Sequence, residues 1–112
     1  MASLASAFPP PRLTLDQIAT AAAAIIVQAR DAGLTPPYAV NAHGYGPPTA
    51  SLYISERVEG DIWDVLQAWA DYWGTEVTAG PGTSPGTVFA SVDFRRDGIR
   101  YEVTAVIHTD AA

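Results

Sequence analysis

Two histidines are the residues in this chain most able to do acid–base or metal chemistry. His43 lies in "NAHGYG", which predicts a loop, and His108 lies near the end of the last predicted strand, on its outward side. A metal site would need both to meet a carboxylate, and no HxH or HExxH spacing indicates this. We therefore interpret both as solvent-facing, and we keep His43 and Tyr45 in its loop as candidate contact residues.

The chain lacks the residues and motifs that several other kinds of catalysis require. The 112-residue chain has no cysteine and no lysine, which excludes disulfides, thiolate metal sites, Schiff-base catalysis and a Walker-A phosphate loop. "GYGPPT" lacks the third glycine of a dinucleotide-binding loop, and none of the serines lies in a G-x-S-x-G motif. The sequence predicts no catalytic residue, no metal and no cofactor.

The net charge and the positions of the basic residues argue against some classes of binding partner. The formal net charge is −6, and the six basic residues, all arginines, are scattered except near the C-terminus, so direct nucleic-acid binding is disfavoured. The most apolar run, "IATAAAAIIV", is about half as long as a membrane-spanning helix. We expect a cytoplasmic protein with no membrane partner. Residues 1–12, which include three consecutive prolines, predict a flexible arm, and residues 13–109 predict one domain.

Capping signals delimit two helices. Thr14 and Gln17 fit a capping box, and Gly33 fits the stop of the first helix. The second helix lies in "DIWDVLQAWADYWG", between Asp61 and Gly74.

Three tryptophans in the second helix take different positions on it. At 100° per residue Trp69 and Trp73 fall on the apolar face, which predicts burial in the core. Trp63 falls at the border of that face, where a tryptophan can anchor a protein interface. The aspartates of this helix fall on the opposite side, which predicts a solvated surface.

Alternating residues predict strands on both sides of the second helix. The Asp97-Gly98 pair predicts a tight hairpin that pairs Phe94 with Tyr101 and Arg95 with Arg100. One face of this hairpin is apolar. The other face is polar at one end and apolar at the other, and four of its residues are our candidate interaction surface: Phe89, Arg95, Arg100 and Val106.

The predicted element order is α-β-β-α-β-β-β. It indicates an α+β two-layer sandwich, with two helices on one face of a mostly antiparallel sheet.

Two short motifs carry a resemblance. A helix ending "W-A-x-x-W-G" (Trp69, Ala70, Trp73, Gly74) and a strand "G-I-R-Y-E-V-T-A" (residues 98–105) resemble small uncharacterised α+β proteins of actinobacteria and their phages. The resemblance implies a fold and a mobile-element origin, and it implies no activity.

These observations favour a non-enzymatic protein–protein interaction module that forms a homodimer through the open sheet face, of a kind that a phage or mobile element would use to modulate a host protein. We expect Trp63→Ala or Phe89→Glu to weaken association. Two alternatives remain open. One is a small-molecule-binding protein or minor enzyme with a pocket between helix and sheet near the His43 loop. The other is an acidic mimic of nucleic acid.

Overall fold

A computed structural model describes residues 13–44, 46–58 and 60–109. The predicted arm (residues 1–12) and Tyr45 lie outside these ranges. The elements along the chain are α1 (Leu15–Asp31), β1 (Ala39–His43), β2 (Thr49–Tyr53), α2 (Ile62–Trp73), β3 (Val77–Pro81), β4 (Thr87–Arg96) and β5 (Ile99–His108). The predicted order of helices and strands is confirmed.

Both helices begin and end at the predicted signals. The Thr14 hydroxyl accepts from the Gln17 N–H, and the Gln17 side chain accepts from the Thr14 N–H, which completes the capping box. Gly33 has φ +87°, and Leu34 donates to the Ala29 carbonyl at 2.9 Å, as in a Schellman motif. In α2, the Asp61 carboxylate caps the N-terminus by accepting from the Trp63 N–H at 2.9 Å.

The five strands form one mixed sheet in the order β1-β2-β5-β4-β3. The predicted hairpin between β4 and β5 is confirmed pair by pair, from Val88 opposite Ile107 to Arg96 opposite Ile99. Asp97 and Gly98 both have positive φ, 53° and 80°, as a type I′ turn requires. The one parallel pairing joins β2 to β5. The last strand of the chain therefore lies in the middle of the sheet.

The core lies between the sheet and the helices. Trp69 is fully buried there, and its indole N–H donates to the Thr35 carbonyl at 2.9 Å. Trp73 is only half-buried: it stacks on Phe94 with ring centroids 4.5 Å apart, and the Arg96 guanidinium lies 5.2 Å from its ring. The predicted burial of Trp69 is confirmed, whereas Trp73, also predicted to be buried in the core, is half-buried at its edge.

The helices leave the second face of the sheet, which we call the open face, uncovered by any described element. The registers place its residues in rows across the strands. One end carries the row His43, Thr49, Arg100, Arg95; further along lie Tyr53, Thr104 and Ser91; beyond them lie Val106 and Phe89. The open face is therefore polar at one end and apolar toward the other, where Phe89 and Val106 precede the last row, Thr87 and His108.

Candidate functional site

The basic end of the open face brings three candidate residues together. His43, Arg95 and Arg100 line a shallow depression of about 350 Å³. His43 is the last residue of β1, paired with Thr49, so its predicted place in a loop is wrong. The depression lies on the open face, and a pocket between helix and sheet near His43 stays a prediction.

The two arginines of this end differ in their partners. Arg100 donates to the Asp93 carboxylate at 3.0 Å and lies 3.7 Å from that of Glu102, and these contacts raise the pKa of Arg100. Arg95 lies directly opposite Arg100, and within the described ranges it makes no ion pair. The diagonal contact between Arg100 and Asp93 offsets the repulsion of the two like charges, as the hairpin register predicts.

The apolar end of the open face carries the other two candidates. Phe89 and Val106 are cross-strand neighbours, and their exposed fractions are 40% and 49%. They line a cavity of about 490 Å³, together with Tyr38, Tyr53 and other side chains of the β2 and β5 ends. A contiguous exposed apolar patch marks a binding surface when it is large, and Phe89 and Val106 form the centre of the apolar part of this face.

A buried hydroxyl lines the same cavity. Thr104 is only 2% exposed, and its Oγ1 has no hydrogen-bond partner among the described residues. Its lateral neighbours on the sheet are Tyr53 and Ser91. A buried polar atom without a partner costs free energy, about 1–3 kcal/mol, unless something outside the described residues supplies the bond.

A carboxylate and an imidazole stand at the far end of this cavity. Glu56 accepts hydrogen bonds from the His108 backbone N–H, at 2.9 Å, and from the His108 Nδ1. These two bonds, the backbone bond first, lower the pKa of Glu56. An ionised carboxylate can only accept, so the proton of this contact resides on Nδ1.

His108 faces solvent, as expected, but the sequence did not predict its contact with Glu56. Its side chain is 65% exposed, yet it is held by Glu56. The two residues are 52 positions apart, and no local pattern in the sequence signals their contact. His43 and His108 lie at opposite ends of the open face, and the described residues contain no group of three metal-ligating side chains.

Trp63 belongs to neither group of candidate residues on the open face, the one at its basic end or the one at its apolar end. It is 39% exposed on α2, whose apolar side packs on the covered face of the sheet. The candidate residues therefore divide into an open-face set and an isolated tryptophan on the helical layer. No helix in the described part of the chain is long and apolar enough to cross a membrane.

Comparison with models of protein families, with curated proteins and with solved structures gave no match.

Proposed function

We propose that the protein is a non-enzymatic interaction module that self-associates through the apolar end of its open face. The observation that carries this proposal is the exposed cross-strand pair Phe89 and Val106 on an uncovered sheet face. Tyr38, which is 72% exposed, and Tyr53 extend the same surface. Together they give a contiguous apolar area on a face that no described element covers.

A second copy is the occupant that fits this surface best. In a two-fold dimer each residue meets its partner's counterpart, so a surface must be complementary to itself. An axis passing near the Phe89 and Val106 pair places Phe89 of one copy on Val106 of the other. The polar row of His43, Arg95 and Arg100 then lies at the rim, where charged side chains stay hydrated.

The size of the face predicts a weak dimer. Two of its strands have 10 residues and three have 5. At ~3.3 Å per residue and ~4.8 Å between strands, the backbone footprint of the whole face is roughly 550 Å², and only one end of it carries the apolar pair. We therefore expect association that depends on concentration in the micromolar range or above.

Light scattering on a sizing column, over a range of loading concentrations, tests this proposal. We expect the mass of the wild-type chain to rise from monomer toward dimer with concentration, and Phe89→Glu to remain monomeric. Val27→Glu is the matched control, because Val27 is 45% exposed on α1, away from the open face. A wild-type chain that stays monomeric throughout, or two variants that behave alike, contradicts the proposal.

Trp63 lies outside this interface, and Trp63→Ala tests a separate prediction. If the tryptophan takes part in self-association, as its border position in the sequence indicates, the variant will dissociate at higher concentrations than the wild type does. If it does not, its exposed ring is available to a different protein.

A further inference from the structure

We propose that the outer edge of β1 is a second self-association site, at which two copies pair their β1 strands antiparallel and join their sheets into one. This contact lies on a different surface from the apolar end of the open face, and either contact can form without the other. It rests on three features of the described residues: unpaired backbone groups on β1, side chains that match their own counterparts, and an apolar side of α1 above the same edge.

β1 is an edge strand without the features that usually prevent edge pairing. It lies at one end of the strand order β1-β2-β5-β4-β3. Its sequence, Ala39–His43, contains no acidic residue, no arginine and no proline, whereas β3 at the other edge ends in Gly80 and Pro81. Edge strands usually carry charges or prolines because their unpaired backbone groups attract a further strand. β1 can therefore accept such a strand.

The backbone bonds of β2 determine which groups of β1 point outward. The Ile54 N–H donates to the Thr104 carbonyl at 2.9 Å, so the even-numbered residues of β2 direct their backbone groups toward β5. The odd-numbered residues of β2 therefore bond β1, and the register pairs them with the odd-numbered residues of β1. The N–H and C=O groups of Val40 and Ala42 consequently point away from the sheet.

A two-fold axis through Asn41 gives the register at which these groups bond. Val40 of one copy then lies opposite Ala42 of the second copy, and the two bonded pairs on either side of the axis exchange four backbone hydrogen bonds. Val40 is 44% exposed on the helical side of the sheet, and the pair covers it with an alanine. Asn41 meets Asn41 of the second copy, and each amide can both donate and accept. The strand is thus complementary to itself, which selects a second copy as its partner.

The side of α1 above this edge is apolar. The Gln28 side chain donates to the Tyr72 hydroxyl of α2 at 3.0 Å, so that side of α1 faces α2. Since α1 packs on β1 and β2, and α2 packs on β3, β4 and β5, the opposite side of α1 faces outward above the β1 edge. At 100° per residue, that side carries Ala19, Ala23 and Ile26.

The same axis brings the two α1 helices together. With strands ~4.8 Å apart, two helices that each lie above a β1–β2 pair are roughly 10 Å apart, which is the separation at which helices pack. The axis makes them antiparallel. Asp16 lies in the first turn of α1 and Arg30 in its last, so the acidic end of one helix lies beside the basic end of the other. This charge complementarity also favours a second copy.

A disulfide across the axis tests the pairing. The pair is short, and we expect it to form at higher concentrations than the open-face dimer, so a covalent trap is the appropriate probe. The chain has no cysteine, and an introduced one is its only thiol. Asn41→Cys places two thiols at a non-hydrogen-bonded pair, where Cα atoms are about 4.5 Å apart, within the range that a disulfide spans.

Ala79→Cys is the matched control, because Ala79 is an exposed residue in the middle of the other edge strand. Both variants also carry Phe89→Glu, which removes the open-face contact, so the result does not depend on that contact. Each chain is equilibrated in a glutathione buffer under native conditions, and electrophoresis without reductant measures the linked dimer.

We expect at least about tenfold more linked dimer for Asn41→Cys than for Ala79→Cys at equal protein concentration, because pairing raises the effective concentration of the two thiols. Val40→Cys in the same background tests the register. The two Val40 residues lie roughly 8 Å apart across the axis, which is too far for a disulfide, so the yield should match that of the control. Equal yields for Asn41→Cys and Ala79→Cys, or preferential linkage at Val40, overturn the proposal.

Amide hydrogen exchange in the linked dimers separates strand pairing from linkage by random collision. In the Asn41→Cys dimer the Val40 and Ala42 N–H groups should exchange more slowly than in the reduced chain, because both become hydrogen-bonded. In the linked Ala79→Cys dimer they should exchange as in the reduced chain. Unchanged exchange at Val40 and Ala42 in the Asn41→Cys dimer contradicts the strand pairing.

Discussion

The Glu56 carboxylate binds both the backbone N–H and the imidazole Nδ1 of His108. It thereby ties the segment that follows β2 to the end of β5. β2 and β5 are parallel neighbours, and their last paired residues are Tyr53 and Thr104. The contact between Glu56 and His108 holds the two chain segments together beyond that pair.

Replacing Glu56 with Gln tests whether this carboxylate sets the tautomer of His108. In the wild type we expect the Nδ1–H form to dominate the neutral ring, because the carboxylate accepts that proton. In Glu56→Gln the neutral amide is a weaker acceptor, and the population should shift toward the Nε2–H form that predominates in free histidine. Imidazole ¹⁵N chemical shifts report the two forms directly, and unchanged shifts would show that the carboxylate has no such role.

The same contact gives a pH dependence with a definite sign. The pKa of Glu56 is lowered by the two hydrogen bonds from His108. A carboxylate whose pKa is lower in the folded state stabilises the fold above its ordinary pKa, and that contribution is lost as the pH falls through the folded-state value. Acid should therefore release the His108 N–H before the sheet unfolds. Amide hydrogen exchange at His108 should accelerate toward low pH relative to that at Val103, which is a buried residue of the same strand. Because Gln does not titrate, Glu56→Gln should abolish this pH dependence.

Local patterns were sufficient for the helix ends and for the terminal hairpin. The Thr14 and Gln17 capping box and the Asp97-Gly98 turn depend on residues within a few positions of each other, so their geometry follows from short-range sterics and hydrogen bonding. The hairpin turn then fixes the register of every pair in β4 and β5, and it places Phe89 beside Val106. That part of the candidate surface was predictable for this reason.

Long-range pairings were not predictable in the same way. Nothing in the β2 sequence specifies β5 as its neighbour, and the pairing of Tyr53 with Thr104 is what places a tyrosine beside the buried hydroxyl. The contact of Glu56 with His108 depends on the same pairing. The cavity therefore arises from strand order, which a period-2 pattern leaves undetermined.

Arg95 and Arg100 lie opposite each other on the terminal hairpin, and replacing each in turn measures how much its charge contributes to stability. Arg100 contacts Asp93 at 3.0 Å, with both side chains a little over 40% exposed, so solvent screens the pair. We expect Arg100→Ala to destabilise the fold by about 0.5 kcal/mol or less, and Arg95→Ala to leave stability unchanged or raise it slightly. The second effect follows because Arg95 lies opposite another arginine. Urea unfolding at low and high salt measures both, and the difference between the variants should shrink at high salt. A larger loss in Arg95→Ala would mean that Arg95 has a partner that the register does not provide.

Trp69 and Trp63 test the division between core and surface in α2. Trp69 is fully buried, and its N–H bonds the Thr35 carbonyl in the segment between α1 and β1. In Trp69→Phe the smaller ring leaves a cavity and that carbonyl loses its donor, so we expect a loss of about 2–4 kcal/mol in the free energy of unfolding. Trp63→Phe removes the same atoms from a side chain that is 39% exposed, and it should cost less than about 0.5 kcal/mol. Chemical denaturation followed by the remaining tryptophan fluorescence measures both. Equal losses would mean that Trp63 is also part of the packed core, and its assignment as a free contact surface would then be wrong.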